Sequence, residues 1–271
     1  MSVITWIFLG LIGFYTAMLL YLWAFQRGLI YRPDPLRPIS SPYAHHGLSE
    51  VKIKTKDSLD LLAWWFPPKE SQAPVILYLH GNAGNLGFRA DKIAPYLEKG
   101  FGVLLLAWRG YSGNPGRPSE SGLYEDGEAG LRWLQSKGIY QNRTILYGES
   151  LGSGVAVELA SKGFGSALIL EAPFSSLADA AQAHYPFFPA YWLVEERYNS
   201  EGKIPLVRIP VLVGHGKKDT VIPYRLASKL FNAANEPKEF LTYSDAGHNN
   251  LYDYGWGQGV IRFLEKNLSA N

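Results

Sequence analysis

Gly148-Glu149-Ser150-Leu151-Gly152 is a G-x-S-x-G motif, a serine flanked at two removes by glycine. A serine hydroxyl attacks a carbonyl carbon effectively only when a base takes its proton. The residues ahead of it, Arg143 to Gly148, read as a buried strand, and those after it, Leu151 to Lys162, as a helix rich in small residues. On so sharp a strand-to-helix turn the serine backbone is strained and its hydroxyl projects above the sheet edge. The glycines suit the bend because a Cβ there would clash.

The base should be a histidine oriented by a carboxylate, in the chain order serine, acid, histidine. Three histidines follow Ser150: His184, His215 and His248. His248 lies in Asp245-Ala246-Gly247-His248-Asn249-Asn250, the loop after the last expected strand, from which an imidazole can swing over the serine. His215, in Gly214-His215-Gly216, reads as a structural residue that satisfies loop backbone. His184 belongs to an insertion and is expected to touch substrate or solvent. Asp219, between a strand and a helix in Gly216-Lys217-Lys218-Asp219-Thr220-Val221-Ile222-Pro223, is the expected acid. Asp245 competes, but its closeness to His248 suits a residue that fixes its own loop. Asp179, in the insertion, is the weaker competitor.

Acyl transfer also needs two N–H donors aimed at the developing oxyanion. One is expected from Leu151, at a helix N-terminus where the dipole favours an anion. The other is expected from Asn82 in His80-Gly81-Asn82-Ala83-Gly84-Asn85, with Ala83 as its near rival. Gly81, Gly84 and Gly87 could also cradle phosphate, but they miss the G-x-G-x-x-G spacing and no P-loop Lys-Ser/Thr follows. Glu149 has three open readings: tuning His248, bonding a neighbouring loop, or tolerating a half-exposed place on the elbow.

These side chains need a scaffold. From about Ser49 the pattern alternates strands with helices. Val51–Lys56 and Leu59–Phe66 form an opening antiparallel pair, and Pro74–His80 is an apolar run of the kind that central parallel strands need. Further strands are expected at Phe101–Ala107, up to Gly148, and at Ala167–Glu171, Val211–Gly214 and Glu239–Tyr243. Helices are expected at Phe88–Lys99, Ser119–Lys137, Tyr224–Asn235 and Gly257–Asn267. The order predicts a mostly parallel sheet with helices on both faces. Pro173 to Pro210 breaks the alternation and carries His184-Tyr185-Pro186-Phe187-Phe188-Pro189-Ala190-Tyr191-Trp192-Leu193, an insertion placed to cover the carboxyl ends of the strands.

The chain has 271 residues, 47% hydrophobic and 18% charged, which suits a folded core. A net charge of +2 gives no nucleic-acid footprint, and the lack of cysteine removes disulfides and thiol nucleophiles. No metal or organic cofactor is expected, since the histidines lack a ligand spacing such as H-E-x-x-H. Val3 to Phe25 contains no charged side chain and is long enough to cross a hydrocarbon core of ~30 Å. Trp6, Tyr21 and Trp23 lie toward its ends, where such rings favour the interface. A cleaved signal peptide would need a basic start, a shorter apolar run and a small-x-small site, none of which is evident. Arg27, Arg32 and Arg37 follow the run, so a single-pass anchor would leave the main domain in the cytoplasm. The expected division is an anchor over 1–26, a proline-rich linker over 27–48 and a catalytic domain over 49–271 with a cap at about 176–208.

From Ser49 onward the chain resembles the α/β-hydrolase superfamily. More narrowly it resembles the membrane-anchored group containing α/β-hydrolase-domain-containing proteins thirteen and seventeen. The resemblance rests on H-G-N-A-G-N at His80 to Asn85, R-G-Y at Arg109 to Tyr111, and P-S-E-x-G-L-Y from Pro118 to Tyr124. It continues through G-x-S-L-G at Gly148 to Gly152, F-F-P at Phe187 to Pro189, and H-N at His248 and Asn249. It implies an α/β-hydrolase fold, an eight-stranded sheet with a short helical cap, and a serine hydrolase whose triad is Ser150, Asp219 and His248. Protein seventeen is known for removing palmitoyl groups from proteins, but it uses a cysteine-rich lipidated N-terminus that is absent here, and Glu149 departs from the basic or neutral residue expected before the serine. The expected activity is cleavage of carboxylic esters or thioesters of lipophilic acyl groups. A peptidase or amidase, or a catalytically silent membrane-tethered binding module, are the alternatives.

Overall fold

The computed structural model describes residues 2–40 and 47–268. Positions 41–46 of the expected linker, Met1 and the last three positions of the expected catalytic domain, 269–271, lie outside the described residues. The elements run α1 (Val3–Ile30), β1 (Arg32–Pro33), β2 (Ser49–Lys54), β3 (Asp60–Phe66), β4 (Val75–Leu79), β5 (Ala83–Gly84), α2 (Ala90–Glu98), β6 (Gly102–Leu106), α3 (Glu120–Ser136), β7 (Thr144–Glu149), α4 (Leu151–Ser161), β8 (Ala167–Glu171), α5 (Leu177–His184), α6 (Ala190–Leu193), α7 (Ser200–Lys203), β9 (Val211–Gly216), α8 (Tyr224–Ala233), β10 (Lys238–Tyr243) and α9 (Trp256–Leu268).

Eight strands form the main sheet in the order β2-β3-β6-β4-β7-β8-β9-β10. The pairs β2–β3 and β3–β6 are antiparallel, and every other pair is parallel. Both faces are covered, so central strands must be apolar throughout. Along β4, Val75, Leu77 and Leu79 pack with side chains of α3, α4 and α8, while Ile76 and Tyr78 pack with those of α2 and α9 on the other face. The cap, α5 to α7, lies between β8 and β9 and contains no strand.

Helix α1 continues past position 26, the expected end of the anchor, to Ile30. Polar Gln26 does not end it because the cap satisfies that side chain. Its amide nitrogen donates to the Leu193 carbonyl at 3.4 Å and its oxygen accepts the Glu195 N–H at 2.8 Å. The next residue, Arg27, lies 3.6 Å from Glu196. The linker that follows is equally engaged. Strand β1 pairs parallel with β5, Arg32 opposite Ala83 and Pro33 opposite Gly84.

Four buried or nearly buried ionic groups lie under the elbow. Arg89 Nε is 3.1 Å from Glu149 Oε2, and Lys92 Nζ is 3.2 Å from Glu149 Oε1 and 2.7 Å from Glu171 Oε1. Tyr78 donates to Glu149 at 3.1 Å and Tyr147 to Glu171 at 2.6 Å. Burial alone would raise the Glu149 pKa, but Lys92 and Arg89 outweigh it and hold the carboxyl well below its ordinary range. Arg89 also donates to the Asn85 carbonyl at 3.3 Å, so Glu149 is linked through it to the loop after β4.

His80 follows β4 and is fully buried. Its Nδ1 donates to the Gly81 carbonyl at 2.7 Å, leaving Nε2 to accept the Trp108 N–H at 3.4 Å. Burial and the neighbouring Arg89 push its pKa from 6.5 down to about 3.

Two outcomes are expected. Glu149→Leu strands Arg89, while Lys92 keeps Glu171 at 2.7 Å, and should cost about 3–5 kcal/mol of stability. Arg89→Met added to it should cost less than the sum of the two single changes, which unfolding of the four proteins in detergent would measure; additive losses would refute the coupling. His80 is also a source of acid sensitivity. The unfolded chain takes up its proton near pH ~6.5, the folded chain only near pH 3, so this contribution is complete above the first value and declines as pH falls toward the second. Between pH ~6.5 and ~5, before unfolded carboxylates titrate, the Tm of His80→Asn should fall less steeply than that of the unaltered protein.

Candidate active site

Ser150 sits between β7 and α4 with φ 49° and ψ −114°. That conformation places a non-glycine residue in sparsely populated space, at a cost of about 1–3 kcal/mol. The surroundings hold it there. The Ser150 N–H donates to the Glu171 carbonyl at 2.8 Å, and the Ser150 carbonyl accepts the Ser153 N–H at 2.9 Å and the Ser153 hydroxyl at 2.5 Å. The two motif glycines are sterically required. A Cβ at Gly152 would lie 2.0 Å from the Leu79 carbonyl oxygen, and one at Gly148 would lie 2.5 Å from the Ser153 Cα.

Three side chains expected to act together meet above this turn. His248 Nε2 is 2.9 Å from Ser150 Oγ, and His248 Nδ1 is 2.7 Å from Asp219 Oδ2. The ring hydrogen therefore belongs on Nδ1, facing the carboxylate, and the Nε2 lone pair faces the hydroxyl. The other Asp219 oxygen accepts the N–H groups of Val221 and Ile222, each at 2.8 Å. Burial raises the Asp219 pKa, but bonds from His215 and His248 prevail and keep the carboxyl well below its usual range.

His215 does more than satisfy loop backbone. Its Nε2 lies 2.9 Å from the Ile222 carbonyl and 3.1 Å from Asp219 Oδ2, two acceptors, so that nitrogen carries the hydrogen. Among the described residues its buried Nδ1 has no partner. The competing acids lie elsewhere. Asp245 is exposed and 2.8 Å from Lys218, while Asp179 is 3.0 Å from Lys229. His184, on the cap, is exposed and contacts the Val221 carbonyl through Nε2 at 2.7 Å, fastening α5 to the loop that carries Asp219.

Ser150 and His248 open onto a cavity of about 630 Å³ that Leu151, Gly81, Asn82 and Ala83 also line. Asn82 directs its side chain at the linker. Its Oδ1 accepts the Arg32 N–H at 3.0 Å and the Tyr111 hydroxyl at 3.0 Å. Asp34 binds the same loop, accepting from the Asn85 amide at 2.6 Å. The remaining wall is mainly apolar. Leu177, Ala180, Ala181, Leu193 and Val194 come from the cap, and Leu22, Leu29 and Ile30 come from α1.

Sequence reasoning missed the contributions of α1, Arg32 and Asp34, which reach their partners across long stretches of chain. It also missed Arg89 and Lys92, whose carboxylate partners Glu149 and Glu171 lie far along the chain. The periodic set Leu22, Gln26, Leu29 and Ile30 marks one face of a helix, but nothing local says what covers that face.

A family model described as alpha/beta hydrolase fold matches residues 74–193. An uncharacterized protein of Mycobacterium tuberculosis, Rv2307c, is 38% identical over 237 residues, covering 87% of this chain and 84% of that protein. Lysophosphatidylserine lipase ABHD12 of Rattus norvegicus is 30% identical over 237 residues, which make up 77% of this chain and 59% of the lipase. Among solved structures, Pyrococcus furiosus esterase Pf2001 has a TM-score of 0.73 at 18% identity, over 88% of this chain and 100% of that one, a likeness of fold. With an eight-stranded sheet in this order and relatives of this extent, the chain belongs to the α/β-hydrolase superfamily.

Proposed function

We propose that this chain is a membrane-anchored serine hydrolase that cleaves carboxylic esters or thioesters of lipophilic acyl groups. The observation that carries the reading is the continuous relay from Asp219 Oδ2 through His248 to Ser150 Oγ, with links of 2.7 and 2.9 Å. Ser150 attacks the acyl carbon as His248 takes its proton. Asp219 holds the imidazole and stabilises the imidazolium that forms. The Leu151 and Asn82 amides receive the oxyanion, and the first of them gains from the α4 dipole. Collapse of the tetrahedral intermediate expels the alcohol or thiol, which takes its proton from His248. The resulting acyl-Ser150 is then hydrolysed by water that His248 activates.

The lipophilic preference rests on the apolar wall of the cavity and on the similarity to a lysophosphatidylserine lipase. Membrane attachment rests on α1, a 28-residue helix long and apolar enough to cross a bilayer. Arg27, Arg32 and Arg37 after the apolar run favour a cytoplasmic catalytic domain.

Fluorophosphonate should label the protein, and Ser150→Ala should abolish labelling and lower ester turnover by at least ~10³-fold; persistent labelling would refute the nucleophile. A p-nitrophenyl ester series from acetate to palmitate should show kcat/KM rising with chain length. A decline beyond acetate would refute the lipophilic preference, and peptide cleavage without ester cleavage would favour the amidase alternative.

A further inference from the structure

The cap does not stop at the top of α1. Tyr15, midway down the helix, stacks on Phe188 with ring centroids 5.2 Å apart and planes at 13°, and its hydroxyl donates to the Phe187 carbonyl at 3.2 Å. Val3 to Phe25 is about 33 Å of helix, close to a hydrocarbon thickness of ~30 Å. Tyr15 lies about 15 Å below Phe25 along that axis. If the apolar run fills the bilayer, the tip of the cap must enter it as well.

The tip has the chemistry for such a place. Between Ala180 and Val194 there is no Asp, Glu, Lys or Arg. Its most outward rings are aromatic, Phe187 86% exposed and Trp192 75%, and the exposed His184 turns its Nε2 to the Val221 carbonyl. The two rings continue the apolar surface of α1, where Trp23 and Phe25 are also exposed. Irregular backbone is tolerated in hydrocarbon only when its polar groups find partners within the protein. Gln182 supplies several of them. Its amide nitrogen donates to the carbonyls of Phe188 at 3.0 Å and Tyr185 at 3.4 Å, and its oxygen accepts the Tyr191 N–H at 3.1 Å.

We propose that the tip of the cap and the outer face of α1 form one bilayer-seated surface, through which a single-chain acyl amphiphile passes sideways from the leaflet into the cavity over Ser150. The choice of substrate rests on the hydrolase reading above, whereas the seating of the cap does not. A lipid bilayer is the occupant that fits, because the surface is continuous with a helix already suited to hydrocarbon and no Asp, Glu, Lys or Arg lies between Ala180 and Val194; the Arg197 guanidinium packs over the Tyr191 ring and donates to the Tyr191 carbonyl at 2.7 Å. Helix α1 is then both anchor and cavity wall, through Leu22, Leu29 and Ile30.

The chain has no cysteine, so Phe187→Cys, Trp192→Cys and, as an exposed control on β2, Lys54→Cys each give one site for a nitrobenzoxadiazole label. In full-length protein reconstituted into phosphatidylcholine vesicles, nitroxide on the lipid chains should quench the labels at 187 and 192 several-fold more than the label at 54. Aqueous iodide should show the reverse order. Iodide quenching equal to that of the control at both cap positions would overturn the seating of the cap. Shielding from both quenchers would also overturn it and point to a second copy of the chain over the surface. In the same vesicles, hydrolysis of a long-chain monoacyl ester should slow as inert lipid dilutes it at constant bulk concentration. A rate that ignores such dilution would overturn sideways entry. Failure of fluorophosphonate to label Ser150 would refute the hydrolase reading and leave the quenching result standing.

Discussion

The left-handed backbone of Ser150 is the constraint around which the centre of the molecule is arranged. A serine in that region relaxes unless its neighbours forbid it. Here the Glu171 carbonyl holds its N–H, Ser153 holds its carbonyl, and Gly152 lies so close under Leu79 that no side chain could replace its hydrogen. The strain is thus supported by β4, β8 and α4 together. It aims the hydroxyl at His248 rather than back into the sheet.

The same centre carries an unusual burden of charge. Glu149 cannot face solvent, since the turn that raises Ser150 leaves its predecessor on the inner side. Arg89 and Lys92 answer its charge, and Arg89 extends the answer to the Asn85 carbonyl. Asp34 grips Asn85 from the opposite direction, and the Arg32 N–H grips Asn82. The loop expected to supply an oxyanion donor is therefore held from both sides, by the elbow and by the segment that emerges from α1. This suits a site whose donors must be in position before charge develops.

Much of this was legible in the amino-acid sequence. The alternation of apolar runs with helical periods marked the parallel sheet, because strands covered on both faces leave little room for polar residues. Ser150, Asp219 and His248 were legible as candidates because each follows a strand, where loops gather above the sheet edge, and the structure brings them within hydrogen-bonding distance. What stayed hidden depends on packing between distant segments. His215 reads as a loop residue until the fold sets its Nε2 beside Asp219. Gln26 reads as the polar end of an anchor until Leu193 and Glu195 are seen to satisfy it. The pairing of Arg32–Pro33 with Ala83–Gly84 leaves no local mark, since two residues are too few to carry a periodicity.

That short pairing has a mechanical consequence. An anchor usually joins its enzyme through a flexible leash, and the leash sets how far the enzyme can roam. Here the chain leaves α1 at Ile30 and is already hydrogen-bonded into the loop beside Ser150 by Arg32. There is no slack to pay out. On the proposed attachment, the nucleophile works at one fixed height and tilt above the bilayer, and an acyl group displayed on a tall protein beyond that height would be out of range.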